Sequence, residues 1–152
     1  MANCGWRPNG RFRRISRFLT APGTEQVGTQ LAGNYFALEQ RFKAEQPVGS
    51  GYLLTLQDVQ TGKGIQIGET QLGPVPPLVL SPRGVAVWIV TRQFTQIEAL
   101  TIAGPESLDY GPDPSTVMAN LALYNCAAGC AHNAVIVAWT DNGQQRYAQV
   151  SG

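Results

Sequence analysis

Charge is scarce in this sequence. Only 14% of the 152 residues are Asp, Glu, Lys or Arg, whereas about 25% is typical of soluble domains. Lysine is the rarest of the four, with only Lys43 and Lys63 among eleven basic residues. Because the centres of protein interfaces are depleted in Lys, Glu and Asp, this composition suits a subunit whose surfaces are largely covered by partners. A GC-rich genome, which favours Arg over Lys, would leave the same signature, and both interpretations stay open.

The sequence also lacks the motifs of the common enzyme classes. It contains no hydrolase elbow, phosphate-binding loop, dinucleotide fingerprint or HExxH pattern. His132 is the sole histidine, and Cys130 lies two residues before it. No helix N-terminus or cationic neighbour stands beside that thiol to activate it. We therefore expect a protein that is not an enzyme and that binds no cofactor.

Cysteines are few and odd in number: Cys4, Cys126 and Cys130. No apolar core follows Arg17 before Pro22, so the basic N-terminus is not a signal peptide, and no segment is long and apolar enough to cross a membrane. These features favour synthesis in a reducing, intracellular compartment, without a membrane partner.

The only metal-like cluster is Cys126, Cys130 and His132, spaced C-x3-C-x-H. Zinc takes four tetrahedral ligands, and the sequence holds no second Cys or His pair, so we predict no metal. The two cysteines are either small residues at a tight turn or a disulfide across a three-residue loop.

Strand patterns dominate from Thr24 onward. Asn142-Gly143 is the strongest hairpin signal, because type I′ turns need positive φ at both central positions, and Thr61–Gly64 predicts a second hairpin. Val85–Thr91 is apolar on both faces, which indicates a central strand. The composition of Leu31–Phe42 predicts a single strand. About seven or eight short strands predict an all-β fold, a β-sandwich or barrel, in a single domain spanning residues 24–152.

Alternation along these strands also predicts which side chains are buried. We expect Trp88 in the core and Tyr147 at the surface. The expected core includes Val87, Ile89, Leu121, Leu123, Ile136 and Ala138.

Residues 104–115 are rich in proline and carry three acids, Glu106, Asp109 and Asp113. We predict a long acidic loop. A carboxylate pair for glycoside hydrolysis or a calcium site would use the same residues, but a solvated loop, or a docking face for an arginine-rich segment, explains them with fewer requirements.

Residues 1–23 form a basic arm. Five arginines precede the first acid, Glu25, and from Thr24 onward six basic residues stand against ten acids, a balance of −4. Such an arm binds either an acidic protein surface or nucleic acid. Because apolar residues interleave the arginines, we favour protein. The residues expected to contact a partner are Arg7, Arg11, Phe12, Arg13, Arg14, Ile15, Arg17 and Phe18.

The stretch Ala119–Gly143 resembles the closing strands of small β-sandwich proteins of tailed-phage virions, such as capsid decoration (cement) and head–tail or tail accessory proteins. In these, an alternating strand ends in a Tyr-Asn or His-Asn pair, followed by a short loop and a Val-rich strand. Thr20–Gly23 is similar to their Thr-Ala-Pro lead-in. The paired cysteines and the arm depart from the pattern. The resemblance implies a non-catalytic, commonly oligomeric virion component, and it transfers no functional residue by position.

These observations together predict a structural or assembly protein of a virion, assembled in the host cytoplasm. Its expected partners are other copies of itself or other virion proteins, and the arm leaves nucleic acid open as a further partner. The alternative is a ligand-binding β module for carbohydrate or a cell surface, which would use Tyr147 and the proline-rich loops.

Overall fold

The computed structural model describes residues 5–6, 13–14, 22–42, 50–71, 78–113, 115–126, 129–131 and 133–152. These residues contain strands and no helix, which confirms the predicted all-β class. Near the N-terminus, two short strands, β1 (Gly5–Trp6) and β2 (Arg13–Arg14), form an antiparallel pair. The remaining eleven strands form three antiparallel sheets, more than the seven or eight strands predicted.

Each sheet is a meander, in which strands that follow one another in the sequence are neighbours. The front sheet consists of β3 (Thr24–Ala32), β4 (Tyr35–Phe42), β5 (Ser50–Asp58) and β6 (Gly64–Gln71). The central sheet consists of β7 (Val79–Leu80), β8 (Ala86–Thr91), β9 (Thr95–Thr101) and β10 (Gly104–Tyr110). The back sheet consists of β11 (Met118–Asn125), β12 (Ala134–Asp141) and β13 (Gln144–Ser151).

The central sheet is buried on both faces, so the fold is a sandwich of three layers. Side chains alternate across a strand, and in β8 Ala86, Trp88 and Val90 pack in one core with front-sheet residues such as Leu54 and Leu56. The other face of the central sheet, with Val85, Val87 and Ile97, packs on the back sheet. The prediction that Val85–Thr91 is a central strand is therefore confirmed, since a strand between two layers buries both of its faces.

Two hairpins lie where the residues of their turns predict them. Asn142 and Gly143 have φ values of 47° and 82° and join β12 to β13, as predicted for a type I′ turn. The hairpin around Thr61–Gly64 is also present, joining β5 to β6. A third hairpin was not predicted: Leu31–Phe42 is two strands, and Gly33, with φ of 56°, stands in the turn between β3 and β4.

The predicted acidic loop at residues 104–115 is wrong, because Gly104–Tyr110 is strand β10. β10 lies at the edge of the central sheet. An edge strand tolerates proline, since the missing N–H would face solvent, and Pro105 sits here opposite Leu100.

The predicted core is correct except at Ile136. Val87 is buried, and Ile89, Leu121 and Leu123 pack against the core between the central and back sheets. In β12 the residues that enter this core are Val135, Val137 and Trp139. Ile136 and Ala138 alternate with them and face the other side of the sheet; Ala138 is buried there, as predicted, whereas Ile136 is only partly buried. β12 is apolar at almost every position, and alternation therefore could not identify its inner face.

Candidate functional site

The eight arm residues expected to contact a partner lie outside the described residues, apart from the backbone of Arg13 and Arg14. Those two pair with Trp6 and Gly5 in the short β1–β2 ladder. The role of the arm stays a prediction.

The cysteines of the metal-like cluster are bonded to each other. Cys126 and Cys130 form a disulfide whose Cα atoms are 6.1 Å apart, so neither thiolate is available as a metal ligand or nucleophile. The Arg83 guanidinium holds the base of this loop: its Nη1 donates to the carbonyl oxygens of Cys126 (3.2 Å) and Ala134 (2.6 Å). His132 lies outside the described residues. Of the two interpretations left open by the sequence, the structure has the disulfide.

The three acids of residues 104–115 serve different local contacts. Asp109 Oδ2 accepts a hydrogen bond of 2.8 Å from the indole N–H of Trp139, which ties the central sheet to the back sheet. Asp113 accepts hydrogen bonds from the hydroxyl and the backbone N–H of Ser115, and these bonds hold the pKa of Asp113 below its usual value. Glu106 is exposed on β10. Within the described residues, no three His, Cys, Asp or Glu side chains form a potential metal site.

The aromatic residues separate into buried and exposed sets. Trp88 is buried, as predicted, and its indole N–H donates to the Tyr52 hydroxyl at 2.9 Å. Trp139 is also buried. Tyr147, the residue expected at the surface, is 67% exposed, and Tyr124 is 58% exposed. Both belong to the back sheet, whereas Tyr110, which is 50% exposed, lies on β10 of the central sheet and packs against the ring of Phe94.

Tyr124 and Tyr147 lie on the same outer face of that sheet. The register pairs Tyr124 with Ile136, and Ala138 with both Ala122 and Tyr147. Because paired residues point to one side of a sheet, these five side chains share a surface, which we call the tyrosine face. Tyr124 and Tyr147 are two strands and two residues apart, about 10 Å across the strands and about 7 Å along them. The rings thus flank a floor of two alanines and one isoleucine, of which Ala138 is buried.

Uncharged polar side chains border the tyrosine face. Gln149 pairs with Ile136, and Gln145 pairs with Thr140. The Gln145 side-chain amide donates to the Trp139 carbonyl at 2.9 Å, and the Asn120 amide donates to the Thr140 hydroxyl at 3.2 Å. These bonds limit the motion of the Gln145 and Asn120 side chains. The conformational entropy that these side chains would lose on binding a partner is therefore smaller.

The charged residues of the back sheet point the other way. Asp141 and Arg146 pair with positions that alternate with the tyrosine face, and their side chains lie 3.5 Å apart in an ion pair. The tyrosine face consequently carries no Asp, Glu, Lys or Arg from β11, β12 or β13. An uncharged contact surface on a ligand or partner would match the composition of this face.

The sequence singled out Tyr147 but not Tyr124. The signal for Tyr124 was present: Leu121 and Leu123 alternate as core residues, which assigns Ala122 and Tyr124 to the opposite face. A β-bulge between Ala119 and Ala122 changes this parity toward the start of β11, and Val117, just before the strand, is exposed.

The class that the fold defines is an all-β, sandwich-like protein whose candidate site, within the described part of the chain, is the surface of a sheet. No protein-family model, curated protein or solved structure matches the chain. Among the described residues, no helix has the length and apolar character needed to span a membrane.

Proposed function

We propose that this chain is a non-catalytic structural protein that assembles with other protein subunits through the back sheet. The observation that carries the proposal is the tyrosine face. Tyrosine is enriched in protein interfaces, and Lys, Glu and Asp are depleted there. Two exposed tyrosines on an uncharged sheet surface match that composition.

The scarcity of charge elsewhere supports the same proposal. Apolar side chains are also exposed on the front sheet, where Val27, Leu31 and Phe42 are accessible to solvent. Leu31 pairs with Phe36, six positions along β4 from Phe42, so these residues do not form one continuous patch, and single exposed apolar residues are normal on a protein surface. The tyrosine face is therefore the one surface that we assign to assembly.

We propose a tailed-phage virion as the assembly in question, in the manner of a decoration, head–tail or tail accessory protein. The proposal is supported by the resemblance of Ala119–Gly143 to the closing strands of such proteins and by the all-β fold. The arginine-rich arm, which would contact acidic surfaces on neighbouring subunits, fits the same role.

The test replaces the tyrosines and follows assembly. Tyr124→Ser with Tyr147→Ser should leave the fold intact, because both residues are exposed, and should weaken self-association or binding to virion proteins at least tenfold in analytical ultracentrifugation. Leu31→Ser, at a 54% exposed site on the other outer sheet, is the matched control. If the double tyrosine variant assembles as well as the unmodified protein, the back sheet is not the assembly surface.

A second candidate function is binding of a neutral oligosaccharide. The observation in its favour is the arrangement of two exposed aromatic rings beside the amides of Gln145 and Gln149, since aromatic rings stack on sugar rings while amides donate to hydroxyls. A panel of neutral glycans, read by shifts in the NMR signals of the two tyrosines, separates the candidates. Saturable shifts in the unassembled protein would support the glycan, and their absence across the panel would remove it.

A further inference from the structure

β13 is an edge strand of the back sheet. The turn before it identifies which of its backbone N–H and C=O groups point away from β12. Asp141 and Gln144 close the two-residue loop at Asn142-Gly143, and the closing pair of such a hairpin exchanges both backbone hydrogen bonds. Hydrogen-bonded and non-hydrogen-bonded pairs then alternate. The residues whose N–H and C=O groups point away from β12 are therefore Gln145, Tyr147, Gln149 and Ser151.

These outer groups are free within the described part of the chain. β13 ends the back sheet, and no backbone hydrogen bond outside the ladders involves it. The side chains of these four residues are also exposed. An edge of this kind is a template for another strand.

The other long edges are protected by irregularity. β3, β10 and β11 each contain a register shift, at Gln26/Gly28, Ser107/Asp109 and Ala119/Ala122 respectively, and bulges interrupt the pairing that an incoming strand would need. β6 is regular, but Gly64 and Gly68 lie in it, and glycine weakens a strand. β13 pairs with β12 over eight consecutive positions without a shift and has one charged residue, Arg146.

We infer that β13 pairs antiparallel with β13 of a second copy of the chain, about a two-fold axis at Ala148. The inference rests on the proposed function and deepens it by naming the partner of the back sheet. The register follows from the alternation, because outward-pointing residues must face one another. Only a two-fold axis at Ala148 places all four outward-pointing residues opposite one another. In this register Tyr147 faces Gln149 of the second copy, and Gln145 faces Ser151 of the second copy.

The charges allow this register. Arg146 faces Val150 of the second copy, and the two Arg146 residues are four positions apart along the strands, about 13 Å. No like charges are directly opposite, which would destabilise the pair. The product is a continuous sheet of six strands, on which the two tyrosine faces lie side by side.

A cysteine at the axis tests the register directly. Ala148 would face its own copy as a non-hydrogen-bonded pair, with Cα atoms about 4.5 Å apart, within the range that a disulfide spans. In a Cys4→Ser background, Ala148→Cys should form a disulfide-linked dimer under mild oxidation. Gln149→Cys is the matched control. The two copies of this residue are offset by two positions along the strands, so their Cα atoms are about 8 Å apart, too far for a disulfide.

Gln149→Pro tests whether the edge itself makes the contact. The N–H of Gln149 points outward, so proline removes no bond to β12 but blocks an incoming strand. The variant should sediment as a monomer at concentrations where the unmodified protein is a dimer, with its circular dichroism spectrum preserved. A linked dimer from Ala148→Cys and a monomer from Gln149→Pro would establish the pairing.

The outcomes separate this inference from the proposed function. If Ala148→Cys does not cross-link and Gln149→Pro assembles normally, while the double tyrosine variant fails to assemble, the edge pairing is wrong and the tyrosine face still stands. If the unmodified protein is a monomer that nevertheless joins virion proteins through the tyrosines, the second copy is again excluded and the proposed function survives. If it neither self-associates nor joins other proteins, both are overturned.

Discussion

The hydrogen bond between Trp88 and Tyr52 lies in the core between the front and central sheets, where both side chains are almost completely buried. A buried indole N–H that loses its acceptor retains its desolvation cost. Tyr52→Phe should therefore lower the free energy of unfolding by about 1–3 kcal/mol. Urea denaturation measures the change. Tyr124→Phe, which removes the same hydroxyl at an exposed site, should change stability by less than about 0.5 kcal/mol, and equal effects from the two would contradict the structural role of this bond.

Glu39 is an acid in a partly buried site of the front sheet. Burial raises its pKa above the ordinary value of 4.5, although a hydrogen bond from the Leu78 backbone N–H acts in the opposite direction. The adjacent bulge at Gly28 leaves room for the carboxylate: a Cβ at Gly28 would lie 2.5 Å from Glu39 Oε2.

The raised pKa of Glu39 predicts a pH dependence. A folded state that holds a proton more tightly than the unfolded state loses stability as pH rises, beginning near 4.5 and ending above the raised pKa. Glu39→Gln keeps an acceptor for Leu78 and removes the charge, so it should unfold at a higher temperature than the unmodified protein at pH 7 and show no advantage well below pH 4.5. Thermal melts across this range measure the difference. Glu106→Gln, at an exposed position, is the control, and a Glu39→Gln advantage that persists at low pH would contradict the titration.

At the scale of the elements, local turn chemistry accounts for what could be predicted. The Asn142-Gly143 hairpin was predictable because two positive φ values restrict the residues that fit. β10 was not, since proline and acidic residues usually mark a loop, and only the position of β10 at a sheet edge makes Pro105 acceptable. The faces of β12 could not be predicted from alternation either, because apolar residues occupy almost every position of that strand.

The same limit applied to the candidate site. Tyr147 was predictable as an exposed residue from its polar neighbours. The tyrosine face requires the β11–β12–β13 register, which brings together residues far apart in the sequence. The β-bulge in β11, where Asn120 has a φ of 54°, could not be predicted, because the alternation of apolar residues in the sequence continues across it.

The disulfide loop between β11 and β12 depends on a residue from a different sheet. Arg83 donates to two carbonyl oxygens there through a single nitrogen, Nη1, and a hydrogen bond to a charged group contributes about 1.5–3 kcal/mol. Arg83→Ala should destabilise the protein by about 1.5–3 kcal/mol, because the carbonyls of Cys126 and Ala134 lose a shared donor. Chemical denaturation is the measurement. Arg146→Ala removes an exposed guanidinium with one ion pair of 3.5 Å and should cost less than about 1 kcal/mol; a similar loss from both would argue against the role of Arg83.

At the scale of the whole molecule, all eleven strands of the three sheets lie from Thr24 onward. Deleting residues 1–19 should consequently leave a folded domain, and under the proposed function it should abolish assembly. Circular dichroism and sedimentation velocity measure the two effects. Salt identifies the partner of the arm, since release of counterions makes nucleic-acid binding fall steeply with salt concentration. Normal assembly of the truncated protein would remove the arm from the proposed function.

The order of the strands has a consequence for how quickly the chain folds. Every sheet is a meander of sequence neighbours, so each strand pair in the three sheets is closed by a turn or a short connecting segment. Folding rates fall as the mean sequence separation between contacting residues grows. Contacts between strands that do not follow one another in the chain arise where one sheet packs on the next. We therefore expect stopped-flow refolding to be faster than for β-sandwiches of similar length whose strands cross between sheets, with the sheets forming before they dock.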